Sequence, residues 1–221
     1  IDNSLHPSEF VTADGLNGAD MSNLAIKGIL GVYSMAKINE AVKVSNNTYM
    51  DRAKQLITDW KQLAVTNDHI NSVYGQSTSW GLMYNLFPAT WLNTDLIEND
   101  VCVQQVLSSV KHSFTCSNFG LDLNSAQHGV ASPHWTLMTA ATIPDNLATV
   151  RNQLIKSIYL QSFRSSVKFP LPVTYDSSTG VHISGSGRYV ASPITDKRMV
   201  PMCYLSAIQG ASFGMLALRL V

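Results

Sequence analysis

The sequence is poor in charge: 14% of its 221 residues are Asp, Glu, Lys or Arg, fifteen of each sign, so the formal charge is zero. Without a cluster of lysines and arginines it carries no electrostatic footprint for a nucleic-acid backbone or an anionic membrane, and neither is expected as a partner. No apolar run approaches the roughly 20 residues needed to span a bilayer, and no signal-peptide pattern opens the chain. Cysteines are scarce as well. Cys102, Cys116 and Cys203 lack the paired spacing of a zinc site; Cys102 and Cys116 can bridge or remain buried thiols, and the odd count leaves one unpaired. Histidines do not pair with metal-site spacing, since His128 and His134 stand on either side of Pro133. A GxSxG elbow and a cysteine-protease signature are both missing. Gly185-Ser186-Gly187 lacks the third glycine and the strand-to-helix setting of a dinucleotide fingerprint. Neither a metal nor a cofactor is expected.

What is present suits one ordinary globular unit over residues 1–221, with 45% apolar residues. The first residue is Ile1, which suggests a chain exposed by cleavage or one whose start lies upstream. Low charge, abundant Asn, Ser and Thr, and a sequon at Asn46-Asn47-Thr48 point to a secreted protein glycosylated at Asn46.

Along the chain, a polar opening loop to Asn17 precedes a helix that is apolar on most of its circumference (Leu24, Ile26, Ile29, Leu30, Tyr33, Met35, Ile38). Gly28 and Gly31 leave a groove in it for another helix. Lys27 sits within this run; burying an unpaired ammonium is costly, so it is expected to face a cavity paired with a carboxylate, Asp14 being the nearest upstream. Ala53, Leu56, Ile57, Trp60, Leu63 and Ala64 form the clearest amphipathic stripe. A polar connector, 67–79, leads into Trp80-Gly81-Leu82-Met83-Tyr84-Asn85-Leu86-Phe87 and reads as a functional rim. Placed on a helix, Trp80 and Tyr84 share a face. Further helices are expected over 97–112, 134–143, 145–163 and 202–218, with a loop at 115–133. A long excursion near 169–198 contains the short strands 173–175 and 181–183. The fold class is mainly all-α.

Asp14, Asn23, Lys27, Trp80, Tyr84, Asn85, Asp122, Trp135 and Asp176 are polar or amphipathic groups in apolar or aromatic company. Together they can build a pocket for a small polar molecule or sugar. Each alone reads equally as a core residue with a satisfied tip.

The same stretches resemble the C-terminal half of the fungal glutaminase A family and its bacterial relatives. The resemblance is carried by Thr12 to Asp14 with Asn23-Leu24-Ala25-Ile26-Lys27-Gly28-Ile29, Ala53 to Trp60, Trp80 to Leu86, Phe119-Gly120-Leu121-Asp122-Leu123, and Trp135-Thr136-Leu137-Met138-Thr139-Ala140-Ala141. It implies part of an α/α toroid of the six-hairpin type, and hydrolysis of L-glutamine to L-glutamate and ammonia. Asp14, Lys27 and Asp122 would then be catalytic, and Asn23, Trp80, Tyr84, Asn85, Trp135 and Asp176 would bind substrate. The chain also departs from the family. Ala131-Ser132-Pro133-His134 stands where the family carries Lys and Asp, Pro170 to Asp176 loses an acid and a tryptophan, and Asp14 lacks its acidic neighbour. A diverged toroid that binds a ligand or serves a structural role is therefore the competing expectation, with a glycoside-hydrolase-like enzyme as a third. About seven helices make half of a six-hairpin ring, so the N-terminal portion of the same precursor, or self-association, is expected to cover the remaining apolar face.

Overall fold

The computed structural model describes residues 2–12, 17–44, 48–66, 69–97, 101, 119–163 and 172–183. Among these residues helices predominate, and strands are confined to two-residue pairs. The helices expected over 97–112 and 202–218 lie almost wholly outside them, as do Asp14, Asn46, the three cysteines and residues 184–198 of the excursion.

Helix α1 spans Ser22–Ala41 and buries Ala25, Ile26, Ile29, Leu30, Val32, Tyr33 and Ala36. It ends where Lys43 takes a φ of +59° and the N–H groups of Lys43 and Val44 bond the carbonyls of Glu40 and Asn39, a left-handed terminal turn that satisfies the last carbonyls. Helix α2, Thr48–Ala64, presents Ala53, Leu56, Ile57, Trp60 and Ala64 to α1; Leu63, expected on that stripe, is exposed. The Trp60 indole N–H donates to the Ser22 carbonyl at 3.0 Å, which ties α2 to the start of α1.

Two expectations about α1 are corrected. Gly28 receives the N-terminal 3₁₀ turn Asp2–Ser4 instead of a helix: a Cβ there would stand 3.1 Å from Ser4 Cα, while Gly31 faces open space. Lys27 is exposed. It heads a solvent-facing stripe with Gly31, Met35 and Ile38, spaced at helical intervals, so no burial cost arises and no carboxylate is needed to neutralise the lysine.

Within the connector expected to form a rim, His69, Ile70, Asn71 and Ser72 are buried, while Gly75, Gln76, Ser77 and Thr78 are exposed. Trp80 to Met83 is not helical. Gly81 forms a bridge with Asn124, and a Cβ on Gly81 would meet the Cβ atoms of Asn124 and Ser72 at 3.3 Å; that close approach holds the segment extended. Only Tyr84–Leu86 turn as a 3₁₀ helix, leading into α3, Phe87–Trp91, with Pro88 in its first turn.

A second helix pair follows. Helix α4 (Pro133–Ala141) starts at a proline and is buried on nearly every side. Its partner α5 (Ala148–Ser162) turns Leu154, Ser157, Ile158 and Gln161 inward. The strand pairs are β1 (Phe10–Val11) with β2 (Asn17–Gly18), and β3 (Val130–Ala131) with β4 (Tyr175–Asp176), both antiparallel. Tyr175 also bridges to His182, so the two strands expected in the excursion do meet, around a turn whose Asp176 Oδ1 accepts hydrogen bonds from the N–H groups of Ser178 and Thr179.

Candidate functional site

One apolar core belongs to α1, α2 and α3, and a second joins Leu82, Leu121 and Leu123 to Trp135 and Leu154. Between them, at the N-terminal end of α1, lies a cleft with about 360 Å³ of open space, part of it continuous with solvent. The space in it that a water-sized group can enter is about 20 Å³, about enough for one such group. The start of α1 (Met21, Asn23, Leu24), Ser72, the segment from Gly81 to Asn85, Leu123, Asn124 and Thr12 line it.

Tertiary pairing builds this cleft from distant parts of the chain. The Leu82 N–H donates to the Leu123 carbonyl at 2.9 Å, and the Ser22 N–H to the Ser72 carbonyl at 3.0 Å. Asn85 docks on the first turn of α1: its backbone N–H donates to Asn23 Oδ1 at 3.2 Å, and its Nδ2 donates to the Asn23 carbonyl at 2.8 Å. The Tyr84 ring stacks on Trp135, with centroids 5.2 Å apart and planes 28° from parallel. The cap of α1, Met21, supplies no side-chain hydrogen bond; of the first-turn N–H groups, that of Ser22 is taken by the Ser72 carbonyl and those of Leu24 and Ala25 by the Met21 carbonyl.

Of the residues singled out from sequence, Asn23, Tyr84 and Asn85 line the cleft. Trp135 does not; buried, it backs Tyr84 from behind. Trp80 is buried too, its backbone N–H bonded to Ser125 Oγ at 3.2 Å, and its ring is not part of the lining. The Asp122 carboxylate takes a 2.6 Å hydrogen bond from Ser177 Oγ and lies 3.9 Å from His128 Nδ1. Asp176 caps its own turn, and the hydroxyl of Ser178 foremost, then the Thr179 N–H, hold its carboxyl below the usual range. Lys27, Asp122 and Asp176 are thus absent from the lining, and among the described residues no carboxylate contributes to it. Nor do three His, Cys, Asp or Glu side chains gather anywhere among them as a metal would require.

Ser72 and Asn124 escaped the sequence reading. Their signal was Gly81, because a glycine between two large apolar residues marks a close backbone approach. His134, behind Trp135 with ring centroids 4.3 Å apart, was also missed as an ionisable group of interest. Burial pushes it down to about 4, so its imidazole is neutral at physiological pH, with Ser132 Oγ 3.1 Å from Nδ1.

Comparison with known proteins bears on this arrangement. The sequence model of the glutaminase A six helical-hairpin domain matches residues 1–195. The chain belongs to this family. Its mainly helical architecture of consecutive helix pairs agrees with a six-hairpin fold. Glutaminase A of Aspergillus oryzae is 26% identical over 204 residues, which is 88% of this chain and 28% of that protein. The chain therefore spans little more than a quarter of the length of this curated relative.

Proposed function

We propose that this chain supplies one wall of the active site of a glutaminase-like hydrolase, which converts L-glutamine and water to L-glutamate and ammonia. Membership in the glutaminase A six-hairpin family carries the reading, and the polar cleft at the start of α1 supports it. Attack of water on an amide carbonyl places negative charge on its oxygen, and the Asn23 side chain in the first turn of α1 is the proposed donor to such a charge. Tyr84, stiffened by Trp135, offers an apolar face to the substrate's methylene carbons. Asp14, which precedes α1 in the sequence, is the proposed base; Lys27 and Asp122 take no part in this scheme. The protein is further proposed to be secreted and glycosylated at Asn46. Exposed Met35 and Ile38 on α1, with Val42 just past its end, favour its packing against the N-terminal portion of the same precursor.

A second reading, a toroid that binds a ligand without turning it over, is favoured by the cleft's lack of a described carboxylate. Incubating the intact protein with L-glutamine, with ammonia and glutamate quantified against time and binding followed by calorimetry, separates the two. Equimolar release of both products supports the hydrolase. Saturable binding without ammonia replaces it with the second reading, and neither response overturns both.

A further inference from the structure

We infer that residues 2–12 form a strap that lifts to admit to the cleft anything larger than a water. This holds whatever molecule the cleft serves, and so stands apart from the glutaminase reading. The space a water-sized group can enter there is about 20 Å³, so a ligand of several heavy atoms needs one wall to move. Most walls are fixed. Asn23 and Leu24 belong to α1, the Leu82 N–H is held by the Leu123 carbonyl, Gly81 bridges to Asn124, and Asn85 is bonded twice to Asn23. Thr12 is the lining residue that lies instead on the N-terminal segment.

The strap is fastened by a few polar contacts and has no buried face. Of the side chains described along it, that of Pro7 is buried, that of Leu5 is half-buried against the first core, and those of Asn3, His6, Ser8, Glu9 and Val11 are exposed. Near its start Ser4 rests on Gly28, where an added Cβ would stand 3.1 Å from Ser4 Cα and Cβ. In its middle the Tyr74 hydroxyl donates to the Leu5 carbonyl at 3.0 Å, and the Asp20 N–H to the Pro7 carbonyl at 2.9 Å. His6 Nδ1 lies 3.0 Å from the Asp20 carboxylate, with its ring edge-on to Tyr74 at a centroid distance of 5.9 Å. At its end Phe10 and Val11 pair with Gly18 and Asn17.

A segment with so little buried apolar surface opens at a small fraction of the cost of global unfolding, and an ion pair as open to solvent as His6 with Asp20 adds little to hold it. Gly28 is the seat of the strap, because only a residue without a Cβ lets another backbone approach this closely. It lies one helical turn beyond Leu24, on the same face of α1, and Leu24 lines the cleft. The strap therefore runs from that seat to the cleft's edge at Thr12, and lifting it uncovers the first turns of α1 without breaking either core.

Methionine oxidation by tert-butyl hydroperoxide, a reagent larger than water, reads the strap in the intact protein. The reagent passes one oxygen to the thioether sulfur and leaves as tert-butanol. Met21 and Met83 line the cleft and are each 1% exposed, whereas Met35, at 42%, reports the reagent alone. Gly28→Leu puts a side chain where Ser4 sits, and leucine favours a helix interior more than glycine does, so the unfolding midpoint should hold. Oxidation of Met21 and Met83 is expected to quicken about tenfold or more, as when a state populated at no more than about 10% becomes the main one, with Met35 unchanged. His6→Ala, which loosens the strap without entering its seat, should quicken both about two- to fivefold. Unchanged Met21 and Met83 rates in the folded variants overturn the strap. Should Gly28→Leu fail to fold, His6→Ala and wild-type amide exchange decide: the Asp20 N–H, bonded to the strap, is expected to exchange at least about tenfold faster than the Ser22 N–H, bonded to Ser72, and equal rates overturn the inference.

Discussion

Replacing Gly120 with alanine should destabilise the protein through two separable effects. Gly120 has a φ of +137°, a conformation that costs a residue with a Cβ about 1–3 kcal/mol. The new methyl would also lie 2.7 Å from Tyr175 Oη. Tyr175 is completely buried, and its hydroxyl donates to the Phe119 carbonyl at 2.5 Å, so it cannot move aside without losing that bond. A buried hydroxyl left unsatisfied adds about 1–3 kcal/mol, for a sum of about 2–6 kcal/mol. At roughly 2–4 °C per kcal/mol for a chain of this size, the thermal midpoint should fall by roughly 5–20 °C. The two effects can be told apart with Tyr175→Phe. Alone it should cost about 1–2 kcal/mol, but beside Gly120→Ala it removes the atom that clashes, so the double variant should be more stable than the sum by about 1–2 kcal/mol. Urea unfolding of all four proteins measures this coupling. Additivity within about 0.5 kcal/mol, or a Gly120→Ala protein as stable as the parent, refutes the argument. The cleft should respond as well, because the loop that begins at Gly120 carries Leu123, whose carbonyl holds the Leu82 N–H.

Three further outcomes are expected. Between pH 6.5 and about 4 the unfolded chain binds a proton at His134 that the folded protein refuses, since burial lowers the folded value to about 4; stability should therefore fall by about 3 kcal/mol across this window as pH drops, and urea midpoints for His134→Gln should show a flatter profile there. Lys27→Met should change unfolding free energy by no more than about 0.5 kcal/mol, as befits an exposed side chain away from special features; a loss of several kcal/mol would reinstate a buried ion pair. Asp176→Ala removes the acceptor for two backbone N–H groups and should cost about 1 kcal/mol, while Asp176→Asn, which keeps an oxygen there, should recover much of it. Equal losses in the two variants would contradict the capping role.

Periodicity and helix-start signals marked α2, α4 and α5, while α3 was not expected. Trp60 and its neighbours at three- and four-residue spacing could bury only as one face of α2, and Pro144 marked where the chain restarts, because a residue without an N–H is best placed in a first helical turn or just before it. The run of motifs from Asn23 to Trp135 carried the family, and with it the six-hairpin class. Burial of Lys27 could not be read from the sequence in the same way. A helix apolar at most angles still has one face that nothing covers, and only packing against α2 and the N-terminal 3₁₀ turn selected the stripe of Lys27, Gly31, Met35 and Ile38 for solvent. Likewise Trp80 and Tyr84 have helical spacing, but a bridge from Gly81 to Asn124, more than forty residues away, held that segment extended. Side chains such as Asn23 and Asn85 are compatible with core, surface or site until long-range hydrogen bonds fix which end of each amide meets its partner. That choice depends on contacts between residues 62 positions apart, and local sequence exerts no force over such a separation.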